Sequence, residues 1–144
     1  MPDYLLDTGI LIRHLRQNPG YQSLLERLAQ DGIICITSLT RTEIIRAMRD
    51  RERKSTYSLL DSLDTLSLDK ETADLAGELI RTLRKNGITL HLPDAVIAAT
   101  AMLNRFDLIT TNPKDFLMPE LTVWQADEQG NINPKLHVPY SPGL

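Results

Sequence analysis

The chain has 144 residues, of which 42% are hydrophobic and 24% charged, a balance typical of one globular domain with a sizeable core. A single cysteine, Cys35, excludes an intramolecular disulfide and a thiolate zinc cluster, and no apolar run is long enough to span a bilayer. The net charge of −3 argues against nucleic-acid binding by bulk charge, and the acidic start of the chain predicts no secretory signal. We therefore expect a cytoplasmic protein that does not enter a membrane.

The first half of the chain alternates short apolar runs with helical patterns. The run "YLL" at 4–6 predicts a buried strand, and the segments 9–17 and 20–30 place apolar residues at helical spacing. The run "IICIT" at 33–37 is rich in β-branched residues, which favours a second strand. Helices are predicted next, over 40–52 and 55–63.

The second half repeats this alternation. A weak strand is expected at 66–68, and a long helix capped by Asp69 should follow it. Residues 93–103 begin with proline and are apolar on nearly all sides, which is typical of a buried helix. The last two strands are predicted at 108–110 and 122–124.

This order of elements favours an α/β fold. Strands that alternate with helices form a mainly parallel sheet, here of about five short strands, with helices on both faces. The last twenty residues contain three prolines and two glycines, which favours a hairpin followed by an extended tail. We therefore divide the chain into one domain over 1–124 and a C-terminal tail over 125–144.

Four acidic residues stand at the ends of the predicted elements: Asp7, Glu43, Asp94 and Asp115. Asp7 ends the first strand inside an apolar run, and Asp94 opens the buried helix. Glu43 lies in the first turns of the helix after the second strand, and Asp115 follows the fourth strand. Because strand C-termini and the helix N-termini that follow them share one edge of a parallel sheet, we expect the four acids to converge there.

Each acid also has a purely structural interpretation. Asp7 could cap the following helix, and Glu43 could complete a capping box with Thr40. Asp94 could interact with the helix dipole, and Asp115 could hold a turn through its side chain. None of these roles requires the four acids to lie on one edge of one sheet, so the set as a whole favours a site.

The chemistry of the four acids indicates a metal site. Carboxylates at close range raise one another's pKa, so their full ionisation needs a compensating cation. Side chains that could support the site are Thr8, Ser38, Thr110 and Asn112. Oxygen ligands without Cys or a His pair favour Mg²⁺ or Mn²⁺ over zinc, and the matching chemistry is metal-assisted hydrolysis of a phosphodiester.

Four segments resemble the motifs of PIN-domain ribonucleases, and most closely those of the VapC-like toxins of bacterial and archaeal toxin–antitoxin pairs. The segment "LLDTGILI" resembles the first motif, with Asp7, and "TSLTRTEIIRAM" resembles the second, with Glu43. The segment "LPDAVIAATA" is similar to the third, with Asp94, and "TTNPKDF" to the fourth, with Asp115. No single motif is specific, whereas all four in this order are.

The resemblance implies a five-stranded parallel sheet, one or two Mg²⁺ or Mn²⁺ ions, and endonucleolytic cleavage of RNA that leaves 5′-phosphate and 3′-hydroxyl ends. It also implies a homodimer, and inhibition by a small antitoxin protein whose C-terminal segment fills the active-site groove. Two features depart from the family pattern. Gly9 stands where the first motif often has Asn or Ser, and the tail after Trp124 is longer than expected.

Positive charge is concentrated in segment 41–54, which holds six Lys or Arg against three acids. Arg46, Arg49 and Arg53 would share one face of the third predicted helix, where they could contact RNA phosphates. The alternative is a solvated face paired with neighbouring acids. His91 could also contact a phosphate, or it could simply be solvated.

Two other functions compete with the ribonuclease hypothesis. A haloacid-dehalogenase-type phosphatase also begins with an acid after its first strand, but it needs a second acid two residues later, where this chain has Gly9. A non-catalytic PIN-like scaffold would bind nucleic acid or a partner without cleaving it. The presence of all four acids argues against the scaffold.

Overall fold

Six strands form one sheet in the computed structural model, which describes residues 3–134. They are β1 (Tyr4–Leu6), β2 (Ile34–Thr37), β3 (Asp64–Leu66), β4 (Asp107–Thr110), β5 (Thr122–Ala126) and β6 (Ile132–Pro134). Their spatial order is β3-β2-β1-β4-β5-β6. Strands β1 to β5 pair in parallel, and β6 returns antiparallel to β5 as a hairpin.

Strand β1 lies at the centre of the sheet, between β2 and β4. All of its residues are buried, and Leu5 stands opposite Cys35 on one side and Leu108 on the other. The chain adds β2 and β3 on one side of β1, and β4 to β6 on the other side. A parallel sheet whose strand order reverses in this way opens a crevice at the C-terminal ends of its central strands.

Six helices surround the sheet in the described part of the chain. They are α1 (Thr8–Leu15), α2 (Pro19–Asp31), α3 (Ser38–Ala47), α4 (Arg53–Asp61), α5 (Lys70–Lys85) and α6 (Leu92–Asn104). Short 3₁₀ turns lie at Asp50–Glu52 and Pro113–Asp115. Within residues 3–134, no helix is both long and apolar enough to cross a membrane.

Each face of the sheet carries its own hydrophobic core, because neighbouring side chains on a strand point to opposite faces. Leu5 and Leu108 belong to the core under α5 and α6. Leu6, Ile36 and Ile109 belong to the core under α1 to α4. The predicted α/β fold, with helices on both faces of a mainly parallel sheet, is therefore confirmed.

Helix α6 is buried continuously from Ala95 to Ala101, as its nearly uniform apolar character predicts. Four of these seven residues are alanine, so the helix backbone can lie close to the sheet. Pro93 fits the first turn, where its missing N–H needs no partner. This packing fixes the position of Asp94 relative to the end of β1.

The helix predicted over 40–52 is wrong in its second half. Helix α3 ends at Ala47, and both Met48 and Arg49 have extended backbone. Every residue from 49 to 54 is charged, so a longer helix would have no apolar face to bury. Instead the Glu52 carboxylate accepts a hydrogen bond from the Arg49 N–H at 2.9 Å and starts a 3₁₀ turn.

Two strand predictions also need correction. Strand β3 covers Asp64–Leu66 rather than 66–68, because Cys35 of β2 pairs with Asp64. The sheet has six strands rather than about five, because residues 132–134 add an antiparallel edge strand. Strand β5 continues past the predicted boundary at 124/125 to Ala126, and the division into domain and tail stays a prediction. The predicted tail beyond residue 134, like residues 1–2, lies outside the described residues.

The turn between β5 and β6 packs against α2. The Tyr21 hydroxyl donates to the Asp127 carbonyl at 2.7 Å, and the Arg27 guanidinium donates to the Gly130 carbonyl at 2.9 Å. Gly130 has φ of +78°, and a Cβ atom on it would overlap the backbone of Gly20. Glycine is therefore required at this contact for both conformational and steric reasons.

We expect Gly130→Ala to lower the free energy of unfolding by about 2 kcal/mol, because alanine is strained at positive φ and also meets Gly20. Gly77→Ala is the matched control, since it lies on the exposed side of α5 with open space around it. The control should raise the free energy of unfolding by about 0.5–1 kcal/mol. Urea titrations of both variants test the contact, and an unchanged free energy of unfolding in Gly130→Ala would contradict it.

Candidate active site

A cleft of about 330 Å³ opens at the C-terminal edge of the sheet. Its lining residues are Asp7, Thr8, Gly9, Glu43, His91, Pro93, Asp94, Ile97, Thr111, Asn112 and Asp115. All four acids singled out in the sequence are among them. The predicted convergence of these acids at one edge of the sheet is therefore present in the structure.

Asp7 is both a helix cap and a member of the cleft. Its Oδ1 accepts a hydrogen bond from the Thr8 N–H at 2.7 Å, and it is the N-cap of α1. Its Oδ2 accepts from the Thr110 hydroxyl, also at 2.7 Å. Burial raises the pKa of Asp7, and the charges of Asp115 and Glu43 raise it further, while the hydrogen bonds from Thr110 and Thr8 lower it. The structural and functional interpretations of Asp7 are thus compatible.

Glu43 is held by α1 rather than by its own helix. One carboxylate oxygen accepts a hydrogen bond from the Thr8 hydroxyl at 3.1 Å. The alternative interpretation of Glu43, a capping box with Thr40, does not apply, because α3 begins earlier than expected. Its N-cap is Thr37, whose hydroxyl oxygen accepts from the Thr40 N–H at 3.0 Å.

Asp94 lies in the first turn of α6, directly after Pro93 and three residues after the N-cap residue His91. Burial raises its pKa to about 6, and the charges of Asp7, Asp115 and Glu43 act in the same direction. His91 opposes this rise. No hydrogen bond to the Asp94 carboxylate is recorded within residues 3–134, which distinguishes it from the other three acids.

Asp115 is supported by the loop that follows β4. The Asn112 side-chain amide donates to its Oδ2 at 2.8 Å, and the Asn112 backbone N–H donates to the Thr110 hydroxyl at 3.0 Å. Thr110 therefore links this loop to Asp7 through one hydroxyl group. The result is a connected network of neutral donors beneath two of the carboxylates.

The residues of the cleft carry a strong excess of negative charge. Among its lining residues in the described chain there are four acids and no Lys or Arg, and His91 is the one basic side chain. Like-charged groups in a half-buried cleft are unfavourable unless a cation neutralises them. This uncompensated negative charge is the main chemical property of the site.

The donor set fits a hard divalent cation. Carboxylate, hydroxyl and amide oxygens line the cleft, and no thiol does so within residues 3–134. In the same range, no three His, Cys, Asp or Glu side chains lie where they could hold one metal ion together. Mg²⁺ does not need three such ligands, because it is usually held by one or two carboxylates and keeps several waters.

Not every predicted site residue lies in the cleft. Thr8 and Asn112 line it, and Thr110 contacts it through Asp7. Ser38, the first residue of α3, is not among the lining residues.

The three arginines do not share one helix face, because α3 ends between Arg46 and Arg49. Arg49 lines a separate depression between α1 and α3, and the Arg53 guanidinium lies 5.5 Å from the centre of the Tyr57 ring. Their contacts with RNA, and that of His91, stay predictions.

Sequence reasoning missed two features of the site. The sequence is compatible with Thr40 as half of a capping box, but in the structure its hydroxyl oxygen lies 3.4 Å from that of Thr8. Gly9 departs from a family motif in the sequence, and in the structure a Cβ atom at this position would lie 3.0 Å from the Thr111 hydroxyl. The absence of a side chain lets α1 approach the loop after β4. Neither contact has a local signal, because the partners are far apart in sequence.

The chain is similar to known proteins over most of its described length. The family model described as "PIN domain" matches residues 4–118. The chain is 33% identical over 116 residues to the ribonuclease VapC10 of Mycobacterium tuberculosis, covering 81% of this chain and 87% of that protein. It is 32% identical over 119 residues to the ribonuclease VapC19 of the same species, covering 81% and 95%.

Solved structures give the same result. The fold is similar to a chain in the crystal structure of VapBC2 from Rickettsia felis bound to a promoter DNA fragment, with a TM-score of 0.75 and 25% identity. That match covers 87% of this chain and 99% of the other. A toxin–antitoxin complex from Klebsiella pneumoniae matches with a TM-score of 0.69 and 30% identity, covering 82% and 94%.

We expect the stability of the metal-free protein to depend on Asp94. Its folded pKa of about 6 lies above the ordinary 3.8, so its stabilising contribution is complete below pH 3.8 and is lost as pH rises through 6. Asp94→Asn stays neutral throughout. In EDTA at pH 7.5 the variant should melt about 3 °C higher than wild type, a difference of about 1 kcal/mol after solvent screening.

Thermal melts from pH 4 to pH 8 measure this difference, which should disappear at the acidic end. Asp74→Asn, on the exposed face of α5, is the control and should show no such pH dependence. A difference between Asp94→Asn and wild type that is constant over the whole range would show that Asp94 does not carry the repulsion.

Proposed function

We propose that this chain, which belongs to the PIN-domain family, is an endoribonuclease that hydrolyses RNA phosphodiester bonds with the help of Mg²⁺ or Mn²⁺. The observation that carries the proposal is the cleft in which Asp7, Glu43, Asp94 and Asp115 meet without a neutralising Lys or Arg. The relatives that match most of the chain are named ribonucleases. The products expected from the family resemblance have 5′-phosphate and 3′-hydroxyl ends.

The residues of this chain have distinct roles in that reaction. A divalent cation held there would lower the pKa of a water molecule and stabilise charge on the leaving oxygen. The residues that would hold it, directly or through its waters, are Asp7, Glu43, Asp94 and Asp115. Thr8 orients Glu43, and Asn112 orients Asp115.

We also propose that an antitoxin protein regulates this activity. The solved relatives from Rickettsia felis and Klebsiella pneumoniae are toxin–antitoxin complexes. A cleft with this charge would be complemented by a basic side chain of such a partner, which would occupy the place of the cation. The chain would then act as a toxin in the cytoplasm, as a homodimer, and would be held inactive by its partner.

Removal of a metal-binding acid should abolish cleavage of RNA. Asp94→Asn and Asp7→Asn should each lower the rate by about 100-fold or more, because the cation supplies several kcal/mol of transition-state stabilisation. The measurement uses the purified chain with structured RNAs and Mn²⁺ or Mg²⁺, followed by gel analysis of the products. Asp74→Asn, a remote and exposed acid, is the control and should cleave at the wild-type rate.

The same assay separates the competing functions. Cleavage that persists in EDTA, or in Asp94→Asn, would contradict the metal mechanism. Hydrolysis of p-nitrophenyl phosphate without cleavage of RNA would support the phosphatase, which also requires an acid at the position of Gly9. Binding of RNA by the wild type without any turnover would support a non-catalytic scaffold.

The partner proposal predicts a growth phenotype. Expression of the chain alone in a bacterial host should stop growth, and Asp94→Asn should relieve the arrest, since the arrest would depend on RNA cleavage. A short open reading frame next to the gene is the first candidate for the antitoxin; its co-expression should also restore growth, and the two proteins should purify together. Growth arrest by Asp94→Asn equal to that of wild type would contradict a toxin that acts through this cleft.

A further inference from the structure

A chain of threonine hydroxyls extends from the end of β2 to the cleft. The hydroxyl oxygens of Thr37 and Thr40 lie 3.1 Å apart, and those of Thr40 and Thr8 lie 3.4 Å apart. The Thr8 hydroxyl then lies 3.1 Å from Glu43 Oε1. The three threonines come from the end of β2, from α3 and from α1, so the chain connects separate elements.

The Thr40 hydroxyl oxygen is the common acceptor in this chain. The Thr37 hydroxyl donates to it at 3.1 Å, and the Thr8 hydroxyl donates to it at 3.4 Å. The Thr8 hydroxyl also donates to Glu43 Oε1 at 3.1 Å, so its single hydrogen is shared between Thr40 and Glu43. The Thr40 oxygen therefore holds the Thr8 hydroxyl beside Glu43.

Burial makes this arrangement rigid. Thr40 has no exposed surface and Thr37 is 1% exposed, so water does not compete for their hydroxyl groups. Thr37 is itself fixed, because its oxygen accepts the Thr40 N–H at the start of α3. Hydrogen bonds in such a dry environment are stronger than hydrogen bonds that water can replace.

We propose that Thr40 is a positioning residue for the metal site, acting on Glu43 through the hydroxyl of Thr8. Without the Thr40 hydroxyl, the Thr8 hydroxyl loses the contact that fixes its rotamer beside Glu43. The backbone N–H of Thr8 donates to Asp7, so this one residue contacts two of the acids. This proposal rests on the proposed function, because it assumes that Glu43 serves a cation.

The test measures Mn²⁺ binding directly in the full-length protein, by electron paramagnetic resonance and calorimetry. Thr40→Val removes the hydroxyl and keeps the shape of the side chain, while Thr40→Ser keeps the hydroxyl. Thr100→Val is the matched control, since Thr100 is buried and donates to the Val96 carbonyl at 2.7 Å, within its own helix. Thr40→Ala replaces the valine variant if that variant does not fold.

We expect Thr40→Val to weaken Mn²⁺ binding about tenfold, as for other residues that orient a metal ligand without touching the metal. Thr40→Ser and Thr100→Val should bind Mn²⁺ within about twofold of wild type, because the hydroxyl chain is intact in both. RNA cleavage by Thr40→Val should approach the wild-type rate at high Mn²⁺, with an unchanged KM for RNA.

A double-mutant cycle tests the route through Glu43. In a Glu43→Ala background, Thr40→Val should change the Mn²⁺ affinity by less than about twofold, since its effect needs the carboxylate. Equal affinity of Thr40→Val and wild type, or an equal loss in Thr40→Ser, would overturn the proposal while leaving the proposed function intact. A wild-type protein that binds no Mn²⁺ would overturn both.

Discussion

Repulsion between carboxylates at the end of β1 is the constraint on which the site depends. Asp7 lies where the central strand ends, and Glu43, Asp94 and Asp115 are close enough to interact with its charge. An arrangement of this kind lowers the stability of the folded protein unless something opposes it. Among the described residues that line the cleft, neutral hydrogen-bond donors oppose the repulsion, and no Lys or Arg does so.

The distribution of these donors divides the acids into two groups. Asp7, Glu43 and Asp115 each accept hydrogen bonds from Thr8, Thr110 or Asn112. Asp94, in the first turn of α6, accepts no side-chain hydrogen bond within residues 3–134, and its pKa is raised to about 6. A neutral donor reduces the repulsion without cancelling the charge, so the cleft keeps its attraction for a cation. A lysine in the same place would cancel the repulsion between the acids, and it would also cancel the attraction of the cleft for a cation.

The parts of the fold that could be predicted from the sequence are those with local signals. The buried strand before Asp7 and the small apolar residues after Asp94 produce local patterns that can be recognised without knowledge of the tertiary structure. The position of the acids then followed from the general geometry of parallel sheets. The end of α3 at Ala47 was missed because charged residues are compatible with a helix locally, and only the lack of a core contact stops it.

The role of Thr40 was not predictable for a related reason. Its spacing from Glu43 matches a capping box. The sequence contains no sign that Thr8, 35 residues before Glu43, is the residue that donates a hydrogen bond to the Glu43 carboxylate. The antiparallel strand β6 was expected only as a turn or hairpin near the tail, because a short edge strand has no distinctive composition. Contacts between distant segments require coordinates.

The contact between Gly9 and Thr111 has a consequence for how the first motif can vary. The space beside the first turn of α1 is filled from the opposite side, by a side chain on the loop that leads to Asp115. Residues 9 and 111 therefore compete for one volume, and a side chain at position 9 requires either a shift of the Thr111 hydroxyl or a smaller residue at position 111. In the linear motif, Gly9 looks like the loss of a side chain. In three dimensions the Thr111 side chain occupies the space beside it, so the cleft keeps a side chain at this place.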